Sequence, residues 1–274
     1  MEILTSHARR LTAAVALACG VLASGSAAAA PVFQVNPNTS GLASQGKIFS
    51  ADALNGVSSA RVAYTGVGNN YVSNGYIVFS GFSLNSNNVS TADTRVNFDY
   101  GLYATFHQDF SCSGILGPGV SCTPTNLSLE LWADIGNDNV YNQAVVGTDP
   151  SIALAGAQTR LAWSNFAFTG IGGIDALGGV FQNVTMSWFL TPEGKSYFFD
   201  PDPFFTASFA AFNNTSQGVA CDSGPTCVNA RDVAITQEGG ILDFNGAAVP
   251  EPGALALLGL GLLGMAGVHR RKQR

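Results

Sequence analysis

An uncharged apolar run at the end of the sequence, Gly253 to Val268, restricts where this chain can build a water-soluble fold. As a helix its 16 residues would span roughly 24 Å, somewhat less than the roughly 30 Å of a bilayer core. It has no polar face, which a helix of a soluble core needs. The basic residues that follow indicate a cytoplasmic end; they are Arg270, Arg271, Lys272 and Arg274. The run predicts a short C-terminal transmembrane helix.

The start of the chain has the three regions of a secretory signal peptide. Two arginines precede an apolar stretch from Leu11 to Leu22, and a tract of small residues follows. Ala27 and Ala29 supply the small residues that signal peptidase requires, so we expect the mature chain to begin near position 29 or 30. Cys19 leaves a lipoprotein alternative open, although the preceding leucine is one position too close for a good lipoprotein signal.

These two ends divide the chain into a signal peptide (1–29), an exported β-rich domain (30–248) and a C-terminal segment (249–274). Because both ends are basic and cytoplasmic, we expect everything between them to lie outside the inner membrane. Between Pro31 and Val249, 16 acidic residues outnumber six basic residues, so this part carries a net charge of −10. Such a charge argues against nucleic acid or anionic lipid as a partner. An Asn/Gly-rich segment near 137–150 is either a boundary or a long loop, and one domain is the simpler expectation.

Four cysteines remain once the signal peptide is removed: Cys112, Cys122, Cys221 and Cys227. An even number in an exported chain predicts disulfides, and four cysteines allow three connectivities. We favour the local pairing, Cys112 with Cys122 and Cys221 with Cys227, because each pair closes a short loop that contains Gly and Pro. A metal site is the weaker interpretation, since neither spacing is C-x-x-C.

Apolar and β-branched segments recur between turn-forming residues through the exported part. In one of them Leu127, Leu129 and Leu131 alternate with Ser128 and Glu130, which is the period of a strand with one buried face. The candidate strands are Gly75–Leu84, Arg95–Phe110, Leu127–Ile135, Arg160–Phe168 and Asn183–Leu190. No helical stripe with caps is found between the two ends. The pattern predicts an all-β fold, an antiparallel β-sandwich or jelly-roll-like domain.

Catalytic motifs are not found in the exported part. His107 is its one histidine, in the sequence FHQDF, and we expect a surface residue there. Neither a G-x-S-x-G elbow nor an H-E-x-x-H helix occurs. The glutamates Glu130, Glu193 and Glu238 lie in no recognisable motif, although a carboxylate pair can assemble in three dimensions. We therefore expect a protein that is not an enzyme.

One acidic and amide-rich loop is a weak candidate for Ca²⁺. Asp134, Asn137, Asp138 and Asn139 lie in the sequence WADIGNDNVY, and Ca²⁺ prefers six to eight oxygen ligands. The EF-hand spacing is absent, and Asx side chains also form turns by bonding their own backbone. A hydrogen-bonded loop is the default expectation, with no cofactor.

The three tryptophans are candidates for stacking on sugar rings. Trp132, Trp163 and Trp188 all lie within apolar runs, however. We therefore expect them to pack in the core.

The C-terminal segment resembles the PEP-CTERM sorting signal. Pro250, Glu251 and Pro252 are followed by a short Leu/Gly/Ala segment and then by the Arg-rich end, in the order of that signal. The resemblance implies recognition by a membrane-embedded exosortase and cleavage near Pro250–Pro252. It further implies export to the surface or extracellular matrix of a Gram-negative bacterium. The shortness of the apolar run fits a transient contact with the inner membrane.

A second stretch, residues 101–139, resembles the flocculation-associated PEP-CTERM protein family. The likeness consists of the G-L-Y-A-x-F strand, the cysteine pair Cys112 and Cys122, and an alternating strand that ends in A-D-x-G-N-D-N. It implies a secreted protein that cells need in order to aggregate within exopolysaccharide. It implies no catalytic residues.

The leading functional expectation is therefore an exported adhesion or matrix protein that promotes flocculation or biofilm formation together with exopolysaccharide. Signal peptidase and exosortase would be its partners during export. The alternatives are a secreted polysaccharide-acting enzyme and a Ca²⁺-dependent carbohydrate-binding module.

Overall fold

A computed structural model of the chain describes residues 31–213 and 218–244. The fold is mostly β-strand, and the described residues include two short α-helices, α1 (Thr91–Thr94) and α2 (Pro192–Tyr197). The strands are β1 (Phe33–Val35), β2 (Phe49–Ala51), β3 (Ala53–Tyr64), β4 (Asn70–Leu84), β5 (Asn87–Asn88), β6 (Tyr100–Cys112), β7 (Ser121–Ile135), β8 (Val140–Asn142), β9 (Ser151–Ala153), β10 (Ala157–Ser164), β11 (Ala167–Ile174), β12 (Val180–Ser187), β13 (Phe189–Leu190), β14 (Phe198–Asp200), β15 (Ala207–Asn213), β16 (Val219–Cys221) and β17 (Asp232–Asp243).

Eight of these strands close into a barrel-like antiparallel sheet. Their order is β11-β12-β15-β17-β3-β4-β6-β7, and β7 then returns to β11 through Cys122 opposite Gly172 and Ser121 opposite Gly173. This short junction, which we call the seam, completes the ring. Further along, β7 leaves β11 and pairs instead with β10, which carries β13 at its other edge.

The interior of the closed sheet contains two apolar clusters. The larger one includes Ile77, Leu102 and Leu131, each at most 3% exposed. The smaller one surrounds Tyr71 and Phe110 near the seam. Full burial of such side chains stabilises the fold by about 1.5–3 kcal/mol each, so the alternating inward positions supply most of the driving force for closure.

A second, three-stranded sheet in the order β14-β1-β2 packs on the larger cluster. The Phe33 ring of β1 lies 5.0 Å from the Phe244 ring and 6.3 Å from the Phe82 ring, measured between centroids. Both contacts are edge-to-face, the arrangement that aromatic rings prefer. The small sheet thereby joins the N-terminal part of the described chain to the barrel-like sheet.

The all-β, antiparallel prediction is confirmed. The sandwich or jelly-roll arrangement is not confirmed, because the long strands form one continuous hydrogen-bonded ring instead of two sheets that face each other. The predicted signal peptide (1–29) and transmembrane helix (253–268) lie outside the described residues. In the ranges 31–213 and 218–244, no helix has the length and apolar character needed to cross a membrane.

The strand predictions agree with the structure in the centre of each element and differ at the ends. The predicted strands Gly75–Leu84 and Leu127–Ile135 lie inside β4 and β7. The predicted strand Arg160–Phe168 spans two strands, β10 and β11, which residues 165–166 connect. Arg95 ends α1 in a left-handed conformation (φ 60°), so the strand predicted to begin there begins at Tyr100. Asn183–Leu190 covers the end of β12 and all of β13.

Candidate functional site

A groove crosses the outer face of the barrel-like sheet, over β10, β7, β6 and β4. Its first row is formed by register partners: Trp163 lies opposite Glu130, Glu130 opposite Thr105, and Thr105 opposite Tyr76. All four side chains point outward, because the intervening residues fill the interior. We call this feature the outer groove.

The second row of the outer groove runs alongside the first. Arg160 lies opposite Trp132, and Trp132 opposite Tyr103. The Arg160 guanidinium lies 5.9 Å from the centre of the Trp132 ring, and its Nη1 donates to Glu130 Oε1 at 2.6 Å. The cation thus links the aromatic ring of one row to the carboxylate of the other, and it balances the charge of Glu130.

An aromatic platform ends the groove. The centroids of the Trp163 and Phe189 rings lie 4.5 Å apart at an interplanar angle of 31°, so the two rings pack against each other in a tilted stack. Phe189 is 40% exposed, and Trp163 is half-buried. The pairing of β13 with β10 brings the two rings into contact, since Trp163 and Phe189 are register partners.

The outer groove has two lobes that meet at Thr105 and Glu130. One lobe has a volume of about 570 Å³, and besides the two shared residues it is lined by His107, Arg160 and Trp163. The other, of about 340 Å³, is lined by Tyr76, Tyr103 and Trp132 in addition. Together they form an open cleft across four strands, a path of about 14 Å at the usual strand spacing.

The β8–β9 hairpin forms one wall of the second lobe. Its Tyr141 ring packs on the rings of Tyr76 (5.3 Å) and Tyr103 (6.1 Å). Burial, followed by the nearby carboxylates of Asp134 and Glu130, raises the pKa of Tyr103 to about 12. The hydroxyl therefore keeps its proton at neutral pH and can donate a hydrogen bond.

Polar contacts fix this hairpin on the sheet. The backbone N–H of Ala144 donates to Ser59 Oγ at 3.0 Å. Asp149 accepts from Arg61 Nη1 at 3.1 Å and from Asn74 Nδ2 at 2.9 Å, and Arg61 also pairs with Asp232. The Asn/Gly-rich segment near 137–150 is therefore held in place against β3 and β4.

The carboxylates near the groove are far apart along the strand. Asp109 lies opposite Asn126, four residues before Glu130 on β7, and Asp134 lies four residues after it. Each backbone position is therefore about 13 Å from that of Glu130. Glycosidases place their two carboxyl groups about 5–9.5 Å apart. The groove thus presents Glu130 with its arginine, together with stacking surfaces and hydrogen-bonding groups.

The predicted Ca²⁺ residues form a hydrogen-bonded loop. Asp134, 1% exposed, accepts from the backbone N–H of Asn139 (3.0 Å) and from Gln158 Nε2 (3.2 Å). Asn139 Oδ1 accepts from the backbone N–H of Ala155 at 2.8 Å. Asn137 adopts a left-handed conformation (φ 53°) in the turn. Over the described residues, no group of three or more His, Cys, Asp or Glu side chains could hold a metal ion.

The other predicted residues are dispersed. His107 lines the groove, where its Nδ1 lies 2.8 Å from Asn74 Oδ1 and its Nε2 lies 3.5 Å from Asp109 Oδ1. Glu193 lies in the first turn of α2, and Glu238 lies inside the barrel-like sheet. Trp188 is buried in the core, as predicted.

The expectation for the other two tryptophans was wrong. Trp132 and Trp163 are half-buried on the outer face and line the groove. The alternation of β7 contained the signal, because Trp132 has the same parity as Ser128 and Glu130 and the opposite parity to the buried leucines.

Both disulfides have the local connectivity that the loop lengths favoured. Cys112–Cys122 joins directly opposed positions of β6 and β7 at the seam, with 3.9 Å between the Cα atoms. Cys221–Cys227 closes the turn after β16. The residues proposed for cleavage and sorting, Ala27, Ala29 and Pro250–Pro252, lie outside the described ranges.

The comparison with known proteins concerns the C-terminal segment. The family model for the PEP-CTERM protein-sorting motif matches residues 248–272. No curated protein and no solved structure gave a significant match to the chain. The match contains Pro250, Glu251 and Pro252, the apolar run and the first residues of the basic end. The chain is thus a PEP-CTERM sorting-domain protein, and its motif marks it for exosortase processing, export across the inner membrane and the cell surface.

Proposed function

We propose that this surface protein promotes bacterial aggregation, as in flocculation or biofilm, by binding exopolysaccharide in the outer groove without catalysis. The observation that supports it best is the groove itself: two half-buried tryptophans flank a Glu130–Arg160 ion pair on the outer face. Aromatic rings stack on the apolar faces of sugars, and a carboxylate beside a guanidinium offers both an acceptor and donors to sugar hydroxyls.

The shape of the groove also fits a polymer. It is open, and it runs across strands instead of descending into the barrel-like sheet. Three strand spacings of about 4.8 Å accommodate a few consecutive sugar rings. A chain could therefore enter and leave at either end, as binding to a long exopolysaccharide requires.

Binding is favoured over hydrolysis by the carboxylate spacing. Glu130 is ion-paired, and Asp109 and Asp134 are each about 13 Å along the strand from it. Asp134 is in addition covered by Asn139 and Gln158. This arrangement supports a non-enzymatic role. Exosortase would be the processing partner during export.

The test is a gene deletion with complementation in cells that aggregate. Deletion should abolish settling aggregates, and the wild-type gene should restore them. A Trp132→Ala/Trp163→Ala variant should reach the surface in equal amount, measured by antibody on intact cells, and should fail to restore settling. Phe98→Ala, which removes a 65% exposed ring outside the groove, is the matched control and should restore it.

Two further results would change the assignment. Aggregation that persists after deletion would contradict the proposed role. Release of shortened sugar chains from purified exopolysaccharide would favour the enzyme alternative. A sedimentation assay of purified protein with exopolysaccharide, run with and without a chelator, tests the Ca²⁺-dependent module, because only that module would lose its affinity when Ca²⁺ is removed.

A further inference from the structure

A layer of polar side chains divides the interior of the barrel-like sheet between its two apolar clusters. It consists of Ser58, Ser73, Gln108, Gln182 and Glu238. Glu238 is 4% exposed and Gln108 is fully buried. Charged and amide side chains are rare at such depth unless they are paired, so each needs a physical explanation.

A bulge in β17 turns Glu238 inward. Ile235 lies opposite Ala60 of β3, but Glu238, three residues later, lies opposite Ser58, only two residues away on β3. One extra residue in β17 reverses the alternation of its side chains. Glu238 and Leu242 consequently face the interior.

The layer pairs only part of its hydrogen-bonding groups. Ser58 Oγ donates to Glu238 Oε2 at 3.1 Å, and Gln182 Nε2 donates to Gln108 Oε1. Among the residues that the structure describes, Glu238 Oε1 and Gln108 Nε2 have no partner. One is an acceptor (or, when protonated, a donor) and the other is a donor, so water, which both donates and accepts, could pair with each.

Two small cavities adjoin the layer and share Gln182 and Glu238 in their walls. Measured as the space open to the centre of a water molecule, they are about 40 Å³ and about 30 Å³. One water needs about 10–15 Å³ on this measure, so each cavity has room for about two or three. Both are too small for a sugar or another organic ligand of that size.

We infer that the polar layer is an internal hydration site, in which a small cluster of long-lived water molecules binds Glu238 Oε1 and extends past Gln182 to Gln108 Nε2. Polar groups in the wall and cavities of the right size are the two conditions for stable buried water, and both cavities have Glu238 and Gln182 in their walls. Burial raises the pKa of Glu238 to about 7, with the Ser58 hydrogen bond acting in the opposite direction. A carboxyl group that is neutral for part of the physiological range can both donate to water and accept from it.

The test counts internal waters in the full chain by ¹⁷O water relaxation dispersion. The wild type is compared with Gln108→Leu/Glu238→Leu, which removes both unpaired groups, and with Glu238→Gln, which keeps the site polar. We expect about two or more long-lived waters to be lost in the double-leucine variant and none in Glu238→Gln. Equal counts in all three proteins would overturn the inference.

A second measurement needs no variant, in case the double-leucine protein does not fold. Xenon enters dry apolar cavities but competes poorly for hydrated polar ones. The methyl resonances of Leu129, Val184 and Met186, which line one cavity, should not shift when the wild type is equilibrated with xenon. A saturable shift of these methyl signals would show dry cavities and contradict the hydration site.

Discussion

Two glutamates on opposite sides of one sheet differ in almost every physical respect. Glu130 lies on the outer face, half-exposed, with Arg160 Nη1 at 2.6 Å. Glu238 lies inside, 4% exposed, with a hydrogen bond from the Ser58 side chain and no ion pair to any described residue. Water and a cation stabilise the first carboxylate, whereas the second is easier to keep as a neutral acid. The outer face can therefore present a charged carboxylate to a ligand, whereas the interior favours the neutral form of the carboxyl group.

The largest expected effect is a pH dependence of stability that originates at Glu238. The pKa of this residue is about 7 in the folded protein against 4.5 for the free side chain. Because the pKa is raised, the folded state keeps this proton to a higher pH than the unfolded state does. The contribution of Glu238 to the free energy of unfolding is therefore fully present below about pH 4.5 and is lost as the pH rises through 7. The free energy of unfolding should fall by about 3 kcal/mol between pH 5 and pH 9 through this group.

Chemical denaturation across that pH range measures this effect. Within residues 31–213 and 218–244, no other ionisable side chain lines the two cavities around Glu238. Glu238→Gln should remove the decline, whereas Glu130→Gln should leave it unchanged. A decline of the same size in Glu238→Gln would assign it to another group.

A somewhat smaller effect is expected from the disulfide at the seam. Replacing Cys112 and Cys122 by Ala should lower the free energy of unfolding by about 2–3 kcal/mol, because the cross-link restricts the unfolded chain. Cys122 also lines one interior cavity. Removal of the disulfide should therefore increase backbone hydrogen exchange at the seam more than along the outer groove. The matched control is Cys221→Ala/Cys227→Ala. This disulfide closes a shorter loop, so its removal should lower the free energy of unfolding by less. The same cost for both would show that the seam has no special role.

A third prediction concerns affinity on the outer face. Trp163→Ala removes the platform that Trp163 forms with Phe189, and stacking of this kind contributes about 0.5–1.5 kcal/mol. Affinity for exopolysaccharide should therefore fall about 2- to 13-fold in a sedimentation binding assay. Thermal stability should change little, because the ring is half-buried at the surface. Unchanged affinity would exclude this ring from the binding surface.

The smallest effect is expected when the outer ion pair is removed. Arg160→Gln breaks a contact between two half-exposed side chains, which usually contributes less than about 1 kcal/mol to stability. At low salt, denaturation should show a slightly lower free energy of unfolding for the variant than for the wild type. At high salt the difference should disappear, because salt screens the ion pair in the wild type. A loss of several kcal/mol would mean that the pair is structural, and the contrast with Glu238 would disappear.

The sequence predicts those strands whose inward positions are apolar. β7 is such a strand, since Leu127, Leu129 and Leu131 all face the core. β3 and β17 were not predicted, because their inward positions include Ser58 and Glu238. In β17 the bulge also interrupts the alternation. Strands that build the polar layer thus lack the pattern by which strands are recognised.

The sequence predicts the outward direction of single groove residues better than it predicts which residues of different strands lie side by side. The parity of Trp132 follows from the leucines beside it, so its outward direction could be derived. The row from Trp163 through Glu130 and Thr105 to Tyr76 combines four strands, and its register depends on closure of the whole sheet. Local patterns contain no information on such distant pairing.

The most direct test of the proposed function uses the three tryptophans as internal probes. Trp132 and Trp163 are half-buried in the outer groove, and Trp188 is buried in the core. Iodide should quench the fluorescence of the first two only. Saturating exopolysaccharide should protect both from iodide and leave the Trp188 emission unchanged. Polysaccharide that binds the protein but leaves Trp132 and Trp163 fully quenchable would place the binding surface elsewhere and contradict the proposed role of the outer groove.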